Sequence, residues 1–236
     1  MTRIERVAVV VPARNEEECL PACLDAIERA AAVVSMPVVV VVGLDGCSDG
    51  TAAVVATRCW AVGLPLEVSA VGAARADATE CALDLIGGVP LDRVWIATTD
   101  ADSVVPANWL SGQLALADAG ADVVVGTVAV DDWSEHSRWT KARWHASYLA
   151  VDDHPHVHGA NLGVRASAYS AVGGWPRVTA HEDVMLVDAL RDWQIVRPSH
   201  LAVVTSARRD PRAAIGFGDT LRAMAATSGM PATAAL

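Results

Sequence analysis

Four short runs in the first hundred residues are apolar with no polar alternation: VAVVVPA (7–13), PVVVVVGL (37–44), PLEVSAV (65–71) and DRVWIATT (92–99). Runs of this kind, rich in β-branched side chains, predict strands buried on both faces. The segments between them read as helices. In ARNEEECLPACLDAIERA, Asn15 and Glu18 have the spacing of a capping box. Pro21 lacks the N–H that a helix interior needs, so it is expected to open the helix proper after one preliminary turn. SDGTAAVVATRCWA (48–61) and ARADATECALDLI (74–86) supply the next two helices. Alternation of strand and helix predicts a parallel sheet with helices on both faces, whose ligands bind beyond the carboxyl ends of the strands. Pro12–Glu16, Asp45–Gly50, Gly72–Arg75 and Asp100–Ser103 all fall at those ends, so four loops of small and polar residues are expected to converge on one edge.

Beyond Ser103 the pattern loosens. Ser103 is placed to cap a helix with Pro106 in its first turn, running through ANWLSGQLALADAG (107–120). ADVVVGTVAV (121–130) reads as a strand, and residues 131–161 are rich in Trp and His and poor in aliphatics, which suits a site-lining or surface segment. RPSHLAVVTSARR has strand character, RAAIGFGDTLRAMA predicts a last helix, and TSGMPATAAL a frayed tail. Neither a repeat nor an obvious interdomain linker interrupts the chain.

Composition narrows the function. With 236 residues, 53% of them hydrophobic, the chain can bury a sizeable core. Its net charge of −10, with Lys141 as the single lysine, argues against nucleic acid as a partner. An anionic ligand has to be captured locally, by a metal ion, arginines or helix N-termini. The cysteines (Cys19, Cys23, Cys47, Cys59, Cys81) are odd in number and form no CxxC pair, so reduced thiols and a cytoplasmic location are expected. The N-terminal apolar run is too short for a signal peptide, and VVSMPVVVVVGL is too short to span a bilayer. No transmembrane segment is expected; peripheral membrane contact stays open.

Two local patterns carry chemistry. In TTDADS, Asp100 and Asp102 sit at i and i+2 and can point the same way from an extended backbone. That pair is either a hard oxygen site for Mg2+ or Mn2+ or a polar strand end. In LDGCSDGT, Asp45 can accept a hydrogen bond from a base or ribose, with Ser48 or Asp49 capping the next helix; an ordinary turn fits as well. His154, His156 and His158 alternate, which places them on one face as a metal site or as an acceptor-side loop. His200 is a further candidate for the metal of Asp100 and Asp102. Trp133, Trp139 and Trp144 can stack on sugars or pack helices, and Arg208 or Arg209 can contact a diphosphate or form a solvated basic turn.

In order along the chain stand VVVPARNEEECLPACLDAI, LDGCSDGTAAVV, GAARADATECAL, ATTDADSVVPANWL, GANLGVRASAYSAVGGW and HEDVMLVDAL. This ordered set, over roughly residues 6–195, resembles the family-2 glycosyltransferases, enzymes that use nucleotide-sugar donors. The resemblance implies an α/β, GT-A (Rossmann-like) fold with a mostly parallel central sheet flanked by helices. Residues 1–103 then form the nucleotide-sugar-binding half and 104–236 the acceptor-binding half of one compact domain. It implies transfer of a sugar to an acceptor hydroxyl, with inversion, assisted by a divalent cation (Mn2+ or Mg2+). Pro12, Arg14 and Glu16 match the segment lining the nucleoside pocket, Asp45 the aspartate that holds the base, and Asp100, Ala101 and Asp102 the metal and diphosphate motif. Arg75 stands in the donor-side segment that follows the third strand. Gly159, Ala160 and Asn161 match the stretch beside donor sugar and acceptor, with Trp133 on the acceptor side. Glu182 and Asp183 match the acidic pair whose aspartate is the general base.

The chain departs from the family pattern at three positions. Leu44 replaces the first acid of the usual DDGS, Cys47 its serine, and Ala76 the asparagine of the usual ARN. Two rivals are weaker. A sugar-nucleotide nucleotidylyltransferase wants a glycine-rich phosphate loop after the first strand, and VVVPARNEEE has no glycine. A non-catalytic binding module has no need to keep Asp100, Asp102 and Asp183 together.

Overall fold

The computed structural model describes residues 2–208 and 217–226. Strands β1 (Arg6–Ala13), β2 (Val38–Asp45), β3 (Ala61–Leu66) and β4 (Val94–Thr98) alternate with helices α1 (Leu20–Ala31), α2 (Thr51–Ala56) and α3 (Val71–Ile86). After β4 come β5 (Ser103–Val104), α4 (Trp109–Asp118), β6 (Val123–Val125), β7 (Val128–Ala129), α5 (Arg138–Ser147), β8 (Leu162–Arg165) and α6 (Ala166–Ala171). The last elements are α7 (Glu182–Ala189), β9 (Ile195–Val196), β10 (Val203–Thr205) and α8 (Phe217–Ala226). The main sheet has seven strands in the order β3-β2-β1-β4-β8-β6-β9, and a small sheet has the order β5-β10-β7. In the main sheet β8 runs antiparallel to β4 and β6, and every other neighbouring pair is parallel.

The unalternating valine runs are buried on both faces, as their composition requires. Val7, Val9 and Val11 of β1 pack with Leu20, Leu24 and Ile27 of α1 and Trp109 and Leu110 of α4. Ala8 and Val10, one residue out of phase, pack with Ala78 and Ala82 of α3 and Ala166 of α6. This period of two places helices on both sides of the sheet. Each fully buried valine or leucine contributes about 1.5–3 kcal/mol of gross burial energy.

Four local expectations shift. The third strand is Ala61–Leu66 and shares only Pro65 and Leu66 with the expected PLEVSAV: the Asp45 carboxylate takes the N–H groups of Val68 and Ser69, and Val71 already begins α3. Pro65 is tolerated because β3 is the sheet edge. Asn15 is not a helix cap; it adopts a positive φ of 55° and its Oδ1 accepts from the Ser48 N–H at 2.8 Å, tying two loops together. The cap position of α1 is Cys19, and a proline stands in the first turn as expected. Ser103 lies in β5 and donates to Thr205 Oγ1 at 2.9 Å, so α4 starts later, after Asn108. All five cysteines are free thiols. No helix among the described residues is long and apolar enough to cross a membrane. Arg209, residues 212–216 of the last predicted helix and the whole predicted tail lie outside the described residues.

Candidate active site

The carboxyl ends of β1, β2 and β4 open into a cavity of about 820 Å³. Its other walls are the N-terminal turns of α3 and α7, residues 156–160, and residues 205–208. Pro12, Arg14, Glu16, Asp45, Arg75, Asp100, Ala101, Asp102, Gly159, Ala160, Glu182 and Asp183 all line it. The topology thus gathers acids from sequence positions far apart onto one edge.

Asn161, Trp133 and His200 do not line it. Asn161 is wholly buried: its Nδ2 donates to the carbonyls of Thr127 (2.8 Å) and Leu201 (2.7 Å), and its Oδ1 accepts from Trp109 Nε1 (3.0 Å). With its hydrogen bonds spent on the scaffold, it joins the link between β6 and β7, α4 and the segment before β10. Trp133 packs in a small core with Trp144, Ala160 and Leu221 and donates to the Val130 carbonyl. His200 is exposed, in a turn near Asp152. Trp139 stands 64% exposed on α5, while Trp144 reaches the cavity wall.

Arg75 is the electrostatic hub. It is 2% exposed, donates from Nε to Glu182 Oε1 at 3.0 Å, from Nη1 to Thr98 and from Nη2 to Asp100, and lies over the Trp175 ring at 5.5 Å. Burial alone would lower its pKa, but the Asp100 and Glu182 carboxylates raise it. Burial likewise pushes the Glu182 carboxyl up, against the pull of Arg75. The local geometry depends on Gly72, one turn earlier in α3. A Cβ there would strike the backbone carbonyls of Pro176 and Val178, so only glycine lets α3 seat against the approach to α7.

Asp102 carries the largest carboxylate perturbation in the cavity. Its own burial and the charge of Asp100 push it up to about 7, partly opposed by Arg208. Arg208 donates to both Glu16 oxygens and lies 3.2 Å from Asp102 Oδ2, so one guanidinium spans two walls of the cavity. Asp183, in the first turn of α7, accepts the Gly159 N–H at 2.7 Å through Oδ2 and the Val184 N–H at 2.8 Å through Oδ1. His181, just before it, holds a left-handed backbone with φ 62°, a conformation that non-glycine residues seldom keep without a local need.

The histidines do share a face, as their spacing predicts, but only His156 and His158 are engaged through Nε2; both ring nitrogens of the buried His154 lack a hydrogen-bond partner among the described residues. His156 stacks on Tyr148 at 4.0 Å and its Nε2 accepts from the Leu149 N–H. Tyr148 OH shares a hydrogen bond with His158 Nε2 at 3.0 Å and accepts from the Val128 N–H. Burial, then His156, push His158 down to about 4. Among the described residues no group of three His, Cys, Asp or Glu is arranged to hold a metal. Tyr148 and Ser69, both on the cavity wall, were not singled out in the sequence. Tyr148's place in an aromatic, aliphatic-poor segment was the available signal; Ser69 offered none.

A mostly parallel sheet with an antiparallel strand inserted beside β4, and a cavity carrying several carboxylates at its carboxyl edge, is the GT-A architecture. Residues 8–172, more than half of the chain, match the family model described as Glycosyl transferase family 2, and the chain belongs to that family. Among solved structures it is similar to Staphylococcus aureus TarS 1–349 in complex with UDP-GlcNAc, with a TM-score of 0.67 and 15% identity over 94% of this chain and 66% of that one. A second TarS 1–349 structure matches with a TM-score of 0.62 and 16% identity over 86% of this chain and 61% of that one. The mannosyltransferase PcManGT from Pyrobaculum calidifontis, in complex with GDP-Man and Mn2+, matches with a TM-score of 0.59 and 17% identity over 95% and 70%. The chain therefore spans 61–66% of the TarS chains' length. At such identities the likeness establishes the fold. No curated protein matches the sequence.

Proposed function

We propose that the chain is a glycosyltransferase that moves a hexosyl unit from a nucleotide-diphosphate sugar to an acceptor hydroxyl, with inversion. The observation that carries this reading is the convergence of Asp45, Asp100, Asp102 and Asp183 on one cavity at the carboxyl edge of the sheet. Its family and the donor complexes of its neighbours, UDP-GlcNAc in one and GDP-Man in the other, support a nucleotide-sugar donor. Those two donors differ in base, so likeness leaves the base open.

In this reading the β1 and β2 ends, with Pro12, Arg14, Glu16 and Asp45, hold the nucleoside. Asp183 is the general base. The Gly159 N–H fixes its carboxylate, which keeps lone pairs for a further donor. As the acceptor oxygen bonds to the anomeric carbon, its proton passes to Asp183 and the bond to the diphosphate breaks on the opposite face. Glu182, clamped by Arg75, is a positioning residue that orients α7. Gly159 and Ala160 border the donor sugar and acceptor.

Asp100 and Asp102 fit a divalent cation of the Mn2+ or Mg2+ type. Desolvation and the charge of neighbouring Asp100 push the half-buried Asp102 carboxyl up to about 7, a repulsion that a cation would relieve. When bound, the cation would neutralise charge developing on the diphosphate. Arg208 shares that work from the opposite wall.

Thermal shift with nucleoside diphosphates and nucleotide sugars, with and without Mn2+, tests the donor site, because a native-state ligand raises the melting temperature by mass action. At least one nucleotide should stabilise the protein, and more so with the metal. If none does under either condition, the reading is wrong. Asp183→Asn should bind donor as before while losing at least about a hundredfold in turnover, the low end for a missing general base. Full turnover in that variant would remove Asp183 from the mechanism.

A further inference from the structure

We infer that the acceptor is a neutral amphiphile: its reacting hydroxyl sits on a molecule with an aliphatic or aromatic body and with no phosphate or carboxylate beside that hydroxyl. This rests on reading Asp183 as the base that faces the acceptor. The acceptor half of the cavity is walled by α5, residues 156–158 and α8. Trp144 and Tyr148, from α5 and its C-cap, stack at 4.2 Å, and Tyr148 stacks on His156 at 4.0 Å. Val157 and Met224 add aliphatic surface to the same wall. None of the described side chains that these three segments give to the cavity is an acid, a lysine or an arginine. Burial lowers His156 and His158, the latter to about 4, so both rings are neutral at pH 7.

The cations of the cavity are committed elsewhere. Arg75 is taken by Asp100 and Glu182, and Arg208 by Glu16 and Asp102. Arg14 stands on the nucleoside side, and His181 is exposed just before α7, where water and salt screen any charge it carries. Lys141 and Arg143 lie on α5 but do not line the cavity. A phosphate or carboxylate next to the acceptor hydroxyl would meet the Asp183 carboxylate with no cation to pair it, which weakens binding by about tenfold or more. The rim carries the apolar character outward. Of the nine large hydrophobic side chains exposed among the described residues, Trp139, Leu149, Val151, Val184 and Met185 lie on α5, the turn after it, or α7. Val184 itself lines the cavity, next in sequence to Asp183. An apolar body attached to the acceptor hydroxyl thus has an apolar wall to lie on and an apolar rim to leave by.

The test uses the whole chain with Mn2+ and a saturating nucleoside diphosphate. Four probes are titrated calorimetrically: octyl β-glucoside below its micellar range, p-nitrophenyl β-glucoside, methyl β-glucoside and glucose 6-phosphate. The octyl or the nitrophenyl glycoside should bind one site at least about tenfold tighter than the last two probes, since burial of two methylene groups is worth about that factor. Which of the pair binds tighter tells an aliphatic body from an aromatic one. Val184→Glu should lower the ratio of that glycoside's affinity to methyl β-glucoside's at least about fivefold, while the nucleoside diphosphate binds as before. Glucose 6-phosphate binding as tightly as the apolar glycosides, no preference for these over methyl β-glucoside, or an unchanged ratio in a folded Val184→Glu overturns the inference and leaves the donor site standing. If no nucleoside diphosphate binds, the donor reading itself falls and takes this inference with it. Should circular dichroism show Val184→Glu unfolded, the wild-type panel alone decides.

Discussion

Arg75→Ala is the most informative single perturbation of this molecule, because one buried guanidinium joins the Asp-x-Asp loop to helix α7. The variant leaves Glu182, whose side chain is 6% exposed, without its counterion. Asp100, at 36%, is reached by water and adds less. Removing one partner of a buried ion pair costs about 3–5 kcal/mol, most of it the penalty on the orphaned charge. For a chain of this size each kcal/mol moves the melting temperature by roughly 2–4 °C, so a drop of roughly 6–20 °C is expected. The deficit should depend on pH in a definite sense. Burial already raises the Glu182 carboxyl, and losing Arg75 raises it further. A carboxyl whose folded pKa lies above its unfolded value favours the native state at low pH, where it is protonated in both. It loses that advantage as pH rises through the folded pKa. Urea unfolding followed by circular dichroism at pH 5 and pH 8 should therefore show a smaller deficit at the acid end. Arg75→Ala/Glu182→Gln, which removes the stranded charge, should recover a good part of the loss. A cost below about 1 kcal/mol, the range of an exposed pair, or no recovery in the double variant, refutes the hub.

Three further substitutions probe other contacts. His158 has a pKa pushed down to about 4, so between pH 6.5 and 4 the unfolded chain binds a proton that the native state refuses, and stability falls as pH falls. His158→Gln should remove about 2–3 kcal/mol of the wild type's acid sensitivity between pH 7.5 and 4.5; parallel pH profiles in the two proteins would contradict this. Asn161→Ala strips partners from two buried carbonyls and the Trp109 N–H, and should cost about 2–4 kcal/mol in urea unfolding with donor binding retained. A loss of donor binding in a stably folded Asn161→Ala would return that residue to the site. Gly72→Ala drives a methyl into the Pro176 and Val178 carbonyls and should cost about 1–3 kcal/mol; a neutral result would mean the approach to α7 yields easily.

Much of the fold is written in local pattern. Valine runs without alternation can only be strands covered on both faces, and Pro21 can only stand near a helix start, so β1, β2, β4 and α1 were legible. The loops at their carboxyl ends follow from strand direction alone, which is why Asp45, Asp100 and Asp102 were found. Long-range choices were not legible. Asn15 and Ser103 have the local grammar of helix caps, but Ser48 and Thr205, brought close by the tertiary fold, claim their side chains instead. Asn161 sits beside two true lining residues in sequence, yet points into the scaffold because three buried groups there need it. Arg75 stands out by resemblance as a donor-side residue, but its place between Asp100 and Glu182 exists only once α3 and α7 meet. Local sequence determined which residues are strand, helix and loop, because those preferences act over a few residues. Only the tertiary structure decided which buried charges and hydrogen-bonding groups satisfy one another, because that depends on partners a hundred residues away.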